Sequence, residues 1–281
     1  MWFQTIDLPF NYNYAVPMFI FWVLISAMTI ILIDIESLNQ KAFYVISSIT
    51  LLYGGLVLGG FPHAVMPIQY LLIILGGQGV ISALLPVLII LGLLLVSSLL
   101  VGRVFCGFAC PVGVVQELLS KINFKSNPEA LNKTKYHIDV PSKYTSIIRR
   151  IFLGILIIIA VFGIVLFLEV INPLTGFSIF RTPFTLALLI PVISLIIFSI
   201  LSIFIYRPWC RFLCPFGALS SLCSRISRIK YHRTEDCTEC GLCEKVCPTQ
   251  EAFAYSKKNE CYFCNRCIEV CPHNAIKFSE Q

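Results

Sequence analysis

Two copies of one cysteine run lie near the carboxy terminus, CTECGLCEKVCP from Cys237 to Pro248 and CYFCNRCIEVCP from Cys261 to Pro272, each spaced CxxCxxCxxxCP. Three cysteines two residues apart wrap a tight loop round one cube of iron and sulfide, and the fourth reaches a second cube. The spacing therefore predicts two [4Fe-4S] clusters. Cys237, Cys240, Cys243 and Cys271 would hold one, and Cys261, Cys264, Cys267 and Cys247 the other. Pro248 and Pro272 follow the crossing cysteines, where a fixed φ and a missing N–H turn the backbone away. Zinc fits this pattern worse, because its sites need only four cysteines in paired knuckles. Disulfides would imply an oxidising compartment, whereas Lys- and Arg-rich flanks argue for the cytoplasmic side of a membrane. The chemistry indicated is the movement of single electrons.

Four more cysteines form a second repeat, seen when GRVFCGFACPVGVVQELLSKI is laid over YRPWCRFLCPFGALSSLCSRI. Arg103 pairs with Arg207, Phe105 with Trp209, Cys106 with Cys210, Phe108 with Phe212, Cys110 with Cys214, Pro111 with Pro215 and Gly113 with Gly217. Within each CxxxCP the cysteines are four apart, so a continuing helix would place both sulfurs on one face, one turn apart. A pseudo-twofold axis along a membrane normal would then bring the four thiols together. Beside Arg103 and Arg207, which favour thiolate, they could hold a third iron–sulfur cluster. They could instead bind Cu(I), act as a redox dithiol, or pack as small hydrophobes while the arginines anchor the interface. Cys223, opposite Leu119, reads as packing.

The elements that must position these cysteines are apolar. With 281 residues, 57% hydrophobic, 13% charged and a mean hydropathy of +0.84, most of the chain belongs in a membrane. Five stretches have the length to cross it, near 16–33, 42–60, 84–104, 151–171 and 185–205. Met66 to Pro86, interrupted by Pro67, Gly76, Gly77 and Gly79, reads at its start as a re-entrant or interfacial segment. The first fourteen residues carry no Lys or Arg and no cleavage site follows, so the first span is expected to be retained. Lys121, Lys125, Lys133, Lys135, Lys143, Arg149 and Arg150 precede span four, and Arg207, Arg211, Arg225, Arg228, Lys230 and Arg233 follow span five. Opposite connections hold only Arg181, which places the cysteine-rich end in the cytoplasm and the amino terminus outside. The +6 charge is a basic inner rim, open to acidic lipid or an acidic redox partner, and needs no nucleic acid. The expected fold is an α-helical polytopic membrane domain followed by a two-cluster ferredoxin-like α+β domain. Its parts are residues 1–41 as an added leading helix, 42–230 as the membrane domain and 231–281 as the ferredoxin-like tail.

Two CxxxCP motifs at helix exits followed by a two-cluster tail resemble the NapH family of membrane ferredoxin-type proteins over residues 42–281. The same core is similar to the membrane half of NosR and to the copper-reducing assembly protein CcoG. No NosR-like flavin domain or CcoG-like extra carboxy-terminal domain is read in the chain, while residues 1–41 depart from the NapH pattern of four spans. The resemblance implies a quinol dehydrogenase component working in the inner membrane beside an iron–sulfur or reductase partner and the quinone pool. Because about 30 Å of hydrocarbon is too wide for one electron hop, the quinol pocket is expected near the CxxxCP motifs, walled by Phe105, Phe108, Trp209 and Phe212. Rings at this depth also serve as belt residues. The alternatives are a metal reductase of the CcoG kind, with copper at the exit thiols, and an electron-transfer anchor that binds no quinone. His63 and Glu169 are proton candidates on the opposite side, Asp34 and Glu36 lie in a short inner loop, and His137, His232 and His273 read as solvated surface.

Overall fold

A computed structural model describes residues 12–35, 40–60, 63–77, 84–122, 138, 140–162, 166–181 and 186–280. The described helices are α1 (Tyr12–Asp34), α2 (Gln40–Ile49), α3 (Met66–Leu75), α4 (Leu84–Val101), α5 (Pro111–Ile122), α6 (Ser142–Val161) and α7 (Leu166–Ile171). They continue as α8 (Pro173–Gly176), α9 (Leu189–Phe204), α10 (Pro215–Ser224), α11 (Leu242–Val246) and α12 (Arg266–Glu269). A two-stranded antiparallel sheet, β1 (Ile229–Arg233) and β2 (Ile276–Glu280), pairs Ile229 with Glu280 and Arg233 with Ile276. The protein is thus mostly helical with a small carboxy-terminal sheet domain.

α4 and α6 are each long and apolar enough to cross a membrane, and only 28% and 22% of their apolar windows are buried by protein. α1, α3, α9 and the run of α2 into a π-helical Thr50–Val57 are shorter apolar helices. α6 starts at Ser142, directly after Pro141, nine residues before the hydropathic stretch expected at 151, because its polar first turns include a buried Arg149 that faces protein. α3 ends after ten residues at Gly76 and Gly77, well short of a crossing length.

The two halves interlock. Each apolar helix of the repeat leads through a short turn into a helix that packs on the other half: α5 lies on α9, and α10 lies on α4. The sheet domain has a small aromatic core in which the Tyr231 ring lies 5.1 Å from Phe263 and 5.7 Å from Phe278.

Candidate metal centre

The exit cysteines do not continue an α-helix. α4 ends at Val101, Gly102 turns to a φ of 70°, and residues Phe105–Ala109 form a π turn closed by the Cys110 N–H donating to the Phe105 carbonyl at 3.0 Å. Trp209–Leu213 repeats this turn, with Cys214 N–H to Trp209 O also at 3.0 Å. The wider π coil and the extended Cys110 and Cys214 replace the single-face α spacing expected from sequence. All four thiols are buried and lie within electrostatic range of one another. Burial pushes the Cys214 thiol up to about 12 and Cys210 to about 11, so these two are neutral as bare thiols and binding a metal would draw them out as thiolates. Backbone N–H groups of Gly113 and Gly217 point at the sulfurs of Cys110 and Cys214.

Close approach explains those glycines. A Cβ at Gly113 would overlap the Cys106 carbonyl oxygen and crowd the Arg207 guanidinium, and one at Gly217 would meet the Cys210 carbonyl and Arg103. Gly113→Ala is expected to cost about 1–3 kcal/mol, because backbone rather than a pliable side chain must give way. Comparing thermal unfolding of the two proteins in detergent checks this; an unchanged midpoint contradicts it.

The tail repeats its backbone as well as its sequence. Glu239 and Phe263, Gly241 and Asn265, and Gln250 and Asn274 form three pairs twenty-four residues apart, all at positive φ between 48° and 72°. Left-handed residues inside CxxC loops turn successive N–H groups inward, as an anionic centre requires. Accordingly Glu251 N–H and Ala275 N–H donate to the sulfurs of Cys247 and Cys271, both at 3.3 Å. Cys237, Cys240, Cys243 and Cys271 line one hollow, while Cys247, Cys261, Cys264 and Cys267 line part of a larger cavity of about 690 Å³. Among the described residues no three His, Cys, Asp or Glu groups are gathered tightly enough to hold one metal ion. Thiols spread round a hollow, with N–H donors on the crossing cysteines, fit a polynuclear cube in each quartet.

Arginines join these elements. Glu117 of α5 accepts from Tyr206 Oη (2.6 Å), Arg207 Nε (3.0 Å) and Arg266 Nη2 (2.9 Å). Burial opposes its ionisation, but Arg266, Arg207 and the Tyr206 hydroxyl hold its carboxyl down to about 2. Glu260 of the tail takes Arg103 and Arg149, each at 2.5 Å, and Arg149 also donates to the Cys210 carbonyl at 3.0 Å. Burial likewise works against Glu260, and the arginines win, lowering its pKa. Arg207 donates to the Cys106 carbonyl at 2.6 Å and sits at a φ of 47°, a strained setting sustained by these bonds. Arg211 donates to the Val140 carbonyl at 2.6 Å.

These positions correct part of the charge reading. Arg149, Arg207 and Arg211, counted from sequence as rim charges, and Arg103 with them, are fully buried. Lys143, Arg150, Arg225 and Arg228 do stand exposed. Lys125, Lys133, Lys135, His137 and Glu36 lie outside the described residues. Phe105, Phe108 and Trp209 are buried in edge contacts with Phe216, Phe43 and Phe198, Phe212 is half-buried, and neither cavity is lined by any of the four. His63, driven by burial down to about 4, accepts the Met66 N–H at 2.9 Å and meets Asn172 at 3.1 Å, while Glu169 is exposed on α7. His232 lies on β1 and His273 is exposed in a turn. Sequence reading missed Glu117, Glu260 and Tyr262. Glu117 alone carried a signal, as the single acid of α5 beside a span.

A family model described as a 4Fe-4S binding domain matches residues 83–129 and 186–234, the two exit motifs with their helices. A second model of the same description matches 230–250 and 255–277, the two tail runs. YccM of Escherichia coli (strain K12), whose name ascribes it to electron transport, is 32% identical over 162 residues, 56% of this chain and 44% of YccM. The methylamine utilization ferredoxin-type protein MauN of Methylobacillus flagellatus is 29% identical over 52% of this chain and 48% of its own length. The chain thus spans less than half of either relative. The uncharacterized protein MJ0750 of Methanocaldococcus jannaschii is 31% identical over 63% of this chain and 69% of MJ0750. No solved structure matches the chain. With two repeated iron–sulfur patterns in matching backbone and MJ0750 covered over more than two thirds of its length, the chain belongs to the family of 4Fe-4S ferredoxin-type electron-transport proteins that includes MJ0750, YccM and MauN.

Proposed function

We propose that this iron–sulfur electron-transfer protein is a NapH-like membrane subunit that takes electrons from a quinol and delivers them singly to a partner reductase. The observation that carries the reading is the fixed placement of three thiol sets at one end of an apolar helix bundle. Bound iron–sulfur clusters supply the ability to accept and release one electron at a time. Everything else falls to the chain.

Five apolar elements, α1, α2 with its π extension, α4, α6 and α9, form the spans of a bundle whose outward residues are apolar. Phe19, Leu24, Leu85, Ile155, Ile158, Ile190 and Ile200 all stand exposed, a surface suited to lipid rather than water. Exposed Lys143, Arg150, Arg225 and Arg228 keep the tail on the cytoplasmic side and the amino terminus outside. Residues 1–41 serve as the leading span, 42–230 as the membrane core and 231–281 as the ferredoxin-like tail.

The exit thiols are assigned to a third iron–sulfur centre, held by Cys106, Cys110, Cys210 and Cys214. Four buried arginines share two glutamates and Arg211 adds a fifth buried charge, and buried positive charge without a counter-charge is costly. Four thiolates outweigh the charge of a [4Fe-4S] core and so provide that counter-charge. The Nε atoms of Arg103, Arg149 and Arg211 and the indole Nε1 of Trp209 are buried with no hydrogen-bond partner, donors of the kind that a bound anionic centre would satisfy. Phe212, half-buried and between Cys210 and Cys214 in the chain, is the one of the four rings open enough to meet a quinone, while Phe105, Phe108 and Trp209 are buried.

Reduced ubiquinone and menaquinone analogues, added to anaerobically purified protein in detergent, are expected to bleach the iron–sulfur absorbance. Failure with every native quinone would remove quinol from the account. Copper in place of iron at the exit thiols would move the protein to the CcoG class.

A further inference from the structure

Among the tail side chains that meet the membrane core, one touches both halves of the internal repeat. Tyr262, between the cluster cysteines Cys261 and Cys264, is fully buried, and its ring is sandwiched by Arg103 at 4.4 Å and Arg207 at 4.6 Å. Those arginines are equivalent positions of the internal repeat, so Tyr262 sits between the two halves of the core. Arg103 also donates to the Tyr262 hydroxyl at 2.8 Å. On the backbone side, a Cβ at Gly107, the neighbour of Cys106, would overlap the Tyr262 carbonyl oxygen. Gly107 of the exit motif and Tyr262 of the tail run are therefore in close backbone approach, and Tyr262 lies within electrostatic range of Cys210.

The repeat explains why the tail is needed here. Arg207 finds its carboxylate within the core at Glu117, but the position equivalent to Glu117 in the second half is Ser221. Arg103 instead takes Glu260 from the tail, two residues before Tyr262. Two guanidinium groups over a desolvated ring are both attracted by its quadrupole, which holds the ring in one place.

Building on the assignment of a third centre to the exit thiols, we infer that Tyr262 is a positioning residue for electron exchange between that centre and the Cys247/Cys261/Cys264/Cys267 centre. Held by Arg103 and Arg207, the ring fixes the exit turn against the tail run, so the two centres exchange electrons as one rigid unit. In each exchange one centre is oxidised and the other reduced by a single electron drawn originally from quinol. No bond is made or broken, and no proton is carried by Tyr262.

The test uses the full chain, purified anaerobically, with iron and sulfide counted and low-temperature EPR recorded after dithionite reduction. Magnetic broadening that is present in the wild type and absent from the Cys106→Ser, Cys210→Ser chain defines coupling between the exit and tail centres. Tyr262→Phe keeps the ring and is expected to retain that broadening. Tyr262→Leu is expected to lose it with iron content unchanged. Should Tyr262→Leu fail to bind iron, Gly107→Ala keeps the side chain but forces its backbone away, and the same loss is expected. Full iron with undiminished broadening in Tyr262→Leu or Gly107→Ala overturns the inference. Iron that is unaffected by the Cys106→Ser, Cys210→Ser change, with no broadening to lose, overturns the third centre and the inference falls with it.

Discussion

Glu117→Ala should unfold about 3–5 kcal/mol more readily than the wild type, the cost of leaving a buried charge without its partner. The carboxylate is fully buried and all its contacts are charged or strong donors: Arg207 at 3.0 Å, Arg266 at 2.9 Å and the Tyr206 hydroxyl at 2.6 Å. Its removal strands two guanidinium groups, one in the core and one in the tail. Both detach from α5, so the loss should appear as a lower unfolding midpoint together with faster proteolysis of the tail. Glu117→Gln keeps the shape without the charge and should recover little of the loss. The same carboxyl sets an acid limit. Its pKa is about 2 in the folded protein against an ordinary 4.5, so the unfolded chain takes up the proton first as pH falls. This part of the stability is present above about pH 4.5 and disappears between there and pH 2. Chemical denaturation across that range, with Glu117→Gln as the reference lacking this dependence, measures it. Equal midpoints for wild type and Glu117→Ala would mean that the ion pairs do not hold the tail.

Cys264→Ser should release the iron of one tail centre and also disorder the sheet domain. About fifty residues cannot bury enough apolar surface to stay folded alone, so the bound metal supplies much of the folding free energy. The geometry sharpens the expectation, because Phe263 and Asn265 on either side of Cys264 are held at φ values of 57° and 61°. Such conformations cost about 1–3 kcal/mol each and relax once the loop has nothing to wrap. Phe263 packs on Tyr231 and Phe278, and Asn265 Oδ1 accepts from the Tyr231 hydroxyl at 2.6 Å. Relaxation of the loop therefore reaches β1 and β2. Limited proteolysis and iron analysis of wild type and Cys264→Ser together check this. Iron lost with the tail still protease-resistant would show that the aromatic core and the ion network suffice.

Much of the chemistry was legible in the chain. The paired CxxCxxCxxxCP runs identified an iron–sulfur electron-transfer protein, because metal ligation restricts residue type and spacing so tightly that the pattern survives without tertiary context. Hydropathy found α4 and α9 to within about one helical turn at each end, since apolar runs of that length need no partner to be recognised. It misjudged the start of α6, because the polar turn around Arg149 is drawn into helix by a carboxylate more than a hundred residues away.

What the sequence by itself determined was local: which cysteines share a loop, which stretches shun water, and where one half of the chain copies the other. Tertiary structure alone decided the fate of charge. Arg103, Arg149 and Arg207 look like ordinary basic residues at the rim of a membrane, yet they are buried on Glu117 and Glu260, in contact with the carbonyls of the exit motifs. A long-range ion pair leaves no periodic trace, because it depends on two residues meeting in space and not on their spacing in the chain. The same holds for the π turns at Cys106 and Cys210 and for Tyr262 between two guanidinium groups, which exist only once the halves have interlocked and the tail has closed over them.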